Sequence, residues 1–297
     1  MKGRHIALAV LICAIWGVNF SVIKIGLQSV DPFVLAGIRF ALCAFPAVLF
    51  IRRPDVPWRL LAGYGLVFGV GLWGVVNLGV HVGLSAGIAS LVLQSSAFFT
   101  VFLGALVFRE RLTGFQFAGA AVALVGLVCV VFITDGSVTL AGLGLVLFGA
   151  AAWSGANVIL KKAGPRDVLG FLVWSCVFAP IPLFTLGLLT NGTAGYTELP
   201  SQLGPTAVAS ILFQVYPNTL FAYWMWNWLL KEYPVSTVAP LSLLVPVFGI
   251  SGSMVLFGEH LSVLKSLALV LMVAGLVVGL YGARISTAPF PFRRARA

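Results

Sequence analysis

The stretch IALAVLICAIWGVNFSVIK, residues 6–24, decides the reading of this chain. It is apolar almost throughout, yet it carries Trp16, Asn19, Ser21 and Lys24. An amide inside an apolar helix is costly in lipid unless it faces other protein or a cavity. Much of the stretch returns later: Ala14-Ile15-Trp16-Gly17-Val18-Asn19 is echoed by Ala151-Ala152-Trp153-Ser154-Gly155-Ala156-Asn157. A shift of 138 residues puts Asn19 on Asn157, Lys24 on Lys162 and Gly26 on Gly164. Two such helices at matching places in two halves indicate an internal repeat around a polar interior.

Working outward, the composition agrees. Of 297 residues, 60% are hydrophobic and 9% charged, with a mean hydropathy of +1.08. A soluble domain carries about 25% charge, so a soluble α/β enzyme is excluded: there are too few charges to clothe its helices. The net charge of +10 would suggest nucleic acid in a soluble protein. Here the charges sit in short clusters between apolar runs and read as topology signals, so no nucleic-acid partner is expected. Cys13, Cys43, Cys129 and Cys176 all fall inside apolar runs, with no CxxC and no His neighbour. They read as packed thiols, not as a disulfide or metal site. Lys2, Arg4 and His5 resemble the start of a signal peptide, but the run continues without a small-x-small site and recurs internally. It reads as a retained helix.

A membrane span needs about 20 mainly apolar residues. Ten runs qualify, at about 6–25, 33–51, 60–82, 85–108, 114–133, 139–161, 168–190, 204–229, 235–257 and 262–283. Turn chemistry such as Asp31-Pro32, Asp135-Gly136, Gly164-Pro165 and Asn191-Gly192 separates them. With the N-terminus inside, every Lys and Arg falls on the inner face except Lys265, Lys24 and Arg39. Both termini are therefore expected in the cytoplasm, and an even helix number follows. Five helices per half is odd, which inverts the second half. At an offset of 149, Phe108-Arg109-Glu110-Arg111-Leu112 meets Phe257-Gly258-Glu259-His260-Leu261, and Gly126 meets Gly275. The expected fold is an all-α integral membrane protein of ten transmembrane helices, as two five-helix inverted repeats around a central cavity. The first repeat covers 1–135, the second 136–283, and 284–297 form a basic cytoplasmic tail.

The first half carries Asp31-Pro32 followed by Leu35-Ala36-Gly37-Ile38-Arg39-Phe40, and Glu110-Arg111-Leu112-Thr113 followed by Gln116, Gly119 and Gly126. The second half carries Pro246-Val247-Phe248, then Glu259-His260-Leu261-Ser262 and Gly275. Together these motifs resemble the drug/metabolite transporter superfamily, EamA-like branch. The resemblance covers about residues 5–283. It implies a ten-helix carrier whose cavity is lined mainly by the first, third, fourth, sixth, eighth and ninth helices. Members move amino acids, other metabolites or drugs, often outward. One departure is visible: the family usually has a proline in the fourth helix where this chain has Ala97, which leaves the bend of that helix open.

Asn19 and Asn157 are read as cavity-lining, with interhelical hydrogen bonding as the other reading. Trp16 and Trp153, about one turn earlier, either line the same cavity or pack. His81 and Asn77 share a face at the outer end of the third helix, where a substrate hydrogen bond, a proton-sensitive gate or plain solvation are all open. Gln94 is the cavity candidate among Gln94, Ser95 and Ser96. Tyr216 and Tyr223, seven apart in the aromatic eighth helix, are placed on one face. An aromatic, uncharged cavity suits an apolar or aromatic substrate and can hold an ammonium by cation–π attraction. Lys24 and Arg39 could draw a carboxylate outward or snorkel to headgroups. Glu110 and Glu259 are read as capping the helices that follow. All eight acidic residues lie in connections or at span ends, so no membrane-embedded carboxylate is available and a facilitative carrier is expected. Gly69-Val70-Gly71-Leu72-Trp73-Gly74 fits GxGxxG but lies mid-span, where close helix packing explains it.

No nucleophile–base set and no Walker-type loop occur, so neither enzymatic chemistry nor ATP drive is expected, and no cofactor. The expectation is an inner-membrane exporter of amino acids, neutral or aromatic, working by alternating access. The substrate-binding residues expected are Trp16, Asn19, Asn77, His81, Gln94, Trp153, Asn157, Tyr216 and Tyr223, the other partner is the lipid bilayer, and the assembly is taken as a monomer. An exporter of drugs or other small metabolites is the alternative, and a non-transporting membrane scaffold or receptor is the alternative from another class.

Overall fold

The computed structural model describes residues 1–109 and 112–287. Glu110, Arg111 and the residues from 288 on lie outside the described residues. No strand occurs among the described residues. The long helical runs are α1 (Gly3–Gly26), α2 (Pro32–Ala44), α3 (Trp58–His81), α4 (Ala86–Phe108), α5 (Gly114–Val131) and α6 (Leu140–Ala163). They continue with α7 (Val168–Asn191), α8 (205–232), α9 (Ala239–Phe257) and α10 (Val263–Thr287).

The helices start where the sequence supplies caps. Asp31 Oδ1 accepts from Phe33 N and Val34 N, both at 2.9 Å, and Pro32 fills the first helical position. Thr113 and Gln116 form a reciprocal capping box on α5. The side chains of Ser85, Thr139 and Asp167 accept from Ile88 N, Gly142 N and Gly170 N and so cap α4, α6 and α7. The exits use the left-handed region. Gly164 and Gly258 take φ of +51° and +65°, and Arg109 adopts +57° where a glycine would be expected. Arg109 stands 149 residues before Gly258, and Thr113 stands 149 before Ser262, whose Oγ accepts from Lys265 N. The two chain halves thus turn alike at matching positions.

Two further pairs of irregularities match. α3 widens into a π-helical segment over Leu66–Gly74, and α8 does so over Gln214–Phe221, which contains Pro217. α4 breaks at Gln94–Ser95, and α9 changes from 3₁₀ to α geometry at Leu244–Val245. The break in α4 forms although Ala97 replaces the family's proline. Gln94 N and Ala97 N bond three residues back instead of four, to Leu91 O and Gln94 O.

Packing joins α1 to α8 and α9, α6 to α3 and α4, α2 to α7, and α5 to α10. Glycine lets these helices approach. A Cβ at Gly17 would meet Val245 O and Gly249 N of α9, and one at Gly275 would meet the backbone of Gly119 and Ala123. The glycines of the GxGxxG match do the same work: Gly69, Gly71 and Gly74 face Ala179, Ala152 and Leu183.

Among the described residues, eight helices are long and apolar enough to cross a bilayer. α8 is diluted by Gln214, Asn218 and Asn227, and α10 contributes a shorter apolar stretch, Val263–Gly279. The buried core runs through α1–α4, α6 and α7, while α5 and α10 lie at its edge. Large apolar side chains stand outward around the bundle, Val255 at 83% and Leu106 at 78% exposure among them. A water-soluble monomer does not expose patches of that extent; lipid accounts for them.

Candidate transport cavity

A cavity of about 460 Å³ lies inside the bundle. Its walls come from α1, α3, α4, α6, α7, α8 and α9, with Leu276 from α10. The last turns of α6 and α8 and the first turns of α7 and α9 contribute much of it, so it lies towards the end of the bundle where those termini meet. Trp16, Trp73, Trp153, Trp226, Tyr64 and Tyr223 give an aromatic lining. Gln94, Thr100, Asn157, Asn227 and Ser242 are its main polar groups, and no charged side chain occurs in the described lining.

Local structure sets these side chains. The break in α4 turns Gln94 inward, where Nε2 donates to Ser242 O at 3.3 Å. Asn157 Nδ2 donates to Thr100 Oγ1 at 3.2 Å, and Asn227 Nδ2 to Tyr223 O at 2.7 Å. The amide oxygens of Gln94 and Asn157 therefore remain acceptors for a guest. Trp16 packs between Tyr223 and Trp226 with ring centroids 5.2 and 5.1 Å away, and its buried Nε1 has no partner.

The opposite end is tied shut. Lys24 Nζ lies 3.1 Å from Glu259 Oε1 and 4.3 Å from the centre of the Phe257 ring. Lys265 Nζ lies 2.8 Å from Asp135 Oδ2 and also donates to His260 O at 3.2 Å. Burial works against the Asp135 carboxylate, but hydrogen bonds from Lys265 and Ser137 and the Lys265 charge outweigh it, holding its pKa down at about 2. Thr139 Oγ1 donates to Val82 O at 2.9 Å, closing the gap between the α3 and α6 ends. Glu259 thus pairs across the bundle with α1 and does not cap α10, a role that Ser262 takes. Glu110 lies outside the described residues.

Of the residues singled out in the sequence, Trp16, Gln94, Trp153, Asn157 and Tyr223 meet around the cavity. Asn19 is wholly buried beside it, with neither amide atom bonded. Asn77 is also buried, its Nδ2 donating to Pro32 O at 3.3 Å. His81 is exposed at the far end of α3, and Tyr216 is 49% exposed on the outside of α8. The π segment explains Tyr216: its wider turn breaks the seven-residue register with Tyr223. Arg39 does not snorkel; it is fully buried. Sequence reasoning missed Tyr64, Trp73, Phe171 and Trp226. The spacing Tyr223, Trp226, Asn227, Leu230 is a helical face and carried the signal for the last.

A helical bundle with an apolar outside and an aromatic, uncharged cavity inside is an integral membrane protein built to hold a small molecule. Comparison with known proteins makes this specific. The EamA-like transporter family matches twice, over residues 3–132 and 140–281. A protein of Salmonella typhimurium named "Probable amino-acid metabolite efflux pump" is 40% identical, over 94% of this chain and 95% of its own. Its namesake in Escherichia coli is 38% identical, over 96% and 97%. A solved crystal structure superposes with a TM-score of 0.67 at 19% identity, covering 97% of this chain and 100% of the other, and shares the fold. The chain belongs to the EamA-like transporter family, and its role is that of a transporter.

Proposed function

We propose that the protein exports amino acids, neutral and aromatic ones, across a bacterial inner membrane by alternating access and without ATP. The observation that carries this reading is the uncharged aromatic cavity, with two ion pairs joining the helix ends at the opposite end of the bundle. An aromatic side chain suits the Trp and Tyr walls, and an α-ammonium suits ring faces. The printed names of the Salmonella and Escherichia relatives support amino-acid metabolites as cargo and efflux as direction.

The architecture proposed is ten membrane-crossing helices in two inverted five-helix repeats, 1–135 and 136–283. Support comes from the two family matches, which divide near residue 135, and from the matching turns, π segments and helix breaks of the two halves. Helix pairing agrees: α1 on α8 and α9 corresponds to α6 on α3 and α4 when the halves are exchanged. The Lys and Arg distribution supports cytoplasmic termini. The cavity then faces the cytoplasm and the Lys24–Glu259 and Lys265–Asp135 pairs lie outside. Substrate-binding roles are proposed for Trp16, Gln94, Trp153, Asn157 and Tyr223 directly. Asn19 would act once the cargo is occluded, and Asn77, His81 and Tyr216 only in a state with the outer side open.

Proteoliposomes preloaded with a mixed amino-acid pool and offered labelled phenylalanine test the reading. Accumulation above protein-free vesicles, unaffected by a pH gradient, is expected. No accumulation, together with saturable counterflow of a lipophilic cation, would favour the drug-exporter reading, which the same aromatic walls accommodate.

A further inference from the structure

Arg39 is a buried, charged side chain of the bundle interior for which the cavity description has no use. It sits in α2 with no exposed surface and makes no ion pair among the described residues. Its Nε and Nη2 converge on one oxygen, Thr219 Oγ1, at 3.1 and 2.9 Å, and Thr219 in turn donates to Gln214 O at 2.7 Å. Nη1 has no partner at all. A guanidinium offers five N–H donors in a fork that matches a carboxylate, and a buried cation without a counter-ion is costly.

The surroundings point in the same direction. The Arg39 guanidinium lies 4.3 Å from the centre of the Trp73 ring. That ring lines the cavity, as does Tyr223. An aromatic layer therefore stands between the cavity and an unpaired cation. Around α8, Gln214 Oε1 and both amide atoms of Asn218 are also buried and unbonded, as is the amide of Asn19 in α1. The π segment that carries Gln214 and Asn218 packs against both α1 and α2. The cavity itself supplies no positive charge for an acid group.

We propose that Arg39 binds the carboxylate of the cargo, in an occluded polar pocket that continues the cavity towards its closed end past Trp73 and Tyr223. This assignment rests on the amino-acid export reading and adds a requirement to it: the cargo needs a free carboxylate. Nη1 and Nη2 form the bidentate contact, and the buried amides of Asn19, Gln214 and Asn218 gain partners as the pocket fills.

The test is counterflow of labelled phenylalanine by the full chain in proteoliposomes, with phenylalanine and phenylalaninamide as competitors. For the wild type, the amide is expected to compete roughly 10–100-fold more weakly than the acid. Arg39→Gln is expected to raise KM for phenylalanine by a similar factor and to erase the preference for acid over amide. Arg39→Lys, which keeps the charge and loses the fork, should keep part of that preference. Equal competition by acid and amide in the wild type overturns the assignment while leaving amino-acid export standing, and needs no variant to fold. Retention of the full preference in a monodisperse Arg39→Gln protein also overturns it. A wild type that carries no amino acid at all sinks the export reading, and this assignment with it.

Discussion

Replacing Lys24 by Gln is expected to loosen the closed end of the bundle. Lys24 meets Glu259 at 3.1 Å, with side-chain exposures of 34% and 16%, so the pair is neither fully wet nor fully buried. Exposed pairs contribute about 0.2–1 kcal/mol, and breaking buried ones costs about 3–5 kcal/mol. A value near 1–2 kcal/mol is a fair interpolation, and it corresponds to a roughly 5–30-fold shift in the balance between closed and open outer states. The shift is readable at Ala97, which lines the cavity. In a background without native cysteines, Ala97→Cys would be treated with a membrane-impermeant maleimide in right-side-out and inside-out vesicles. The parent should label from the cytoplasmic side, and Lys24→Gln should speed labelling from outside by that factor. Glu259→Gln should do the same, and the double variant should fall short of the summed effects, because both remove one interaction. External labelling unchanged in both single variants would refute the reasoning, as would a parent labelled equally from both sides.

Two further outcomes follow from the geometry. Gly119→Val in α5 should destabilise the protein by about 1–3 kcal/mol, because its side chain would strike the Gly275–Gly279 backbone of α10, whereas Gly104→Ala, with open space around it, should not. Thermal unfolding in detergent compares them. Asp135 has its carboxyl held at about 2 against an ordinary value of 3.8, so its contribution is present above about pH 4 and is lost as pH falls towards 2. The stability difference between wild type and Asp135→Asn should accordingly be flat from neutral pH to about 4 and shrink below it.

The helical runs and the close glycine contacts were legible because each depends on local chemistry, as the Gly126/Gly275 correspondence shows. The caps were not: Asp31 and Thr113 cap the helices that follow them, and Ser262 takes the role expected of Glu259. The cavity was legible only where the helices stay regular. Trp153 and Asn157 stand four apart and line it together, but Trp16 and Asn19 stand three apart, because Ser154 has no counterpart in the first copy. One residue is a rotation of about 100° on a helix. Phe20, not Asn19, therefore takes the lining position of Asn157. In α3 and α8 the π segments shift the faces, which hid Trp73 and moved Tyr216 outward. No periodicity reveals a π turn in advance. The sequence leaves Arg39 at or within a helix end, free to snorkel. Only the packing of α2 against α7 and α8 shows how deeply it is covered.

The central claim is that the aromatic cavity is the path of the cargo. Efflux of labelled phenylalanine from proteoliposomes of wild type and Ala97→Trp, measured side by side, tests it most directly. The added indole would fill space that a guest needs, at a position half-open to the cavity and away from both outer ion pairs. The account predicts wild-type efflux well above protein-free vesicles and background efflux from a monodisperse Ala97→Trp protein. Equal efflux from the two proteins would contradict it.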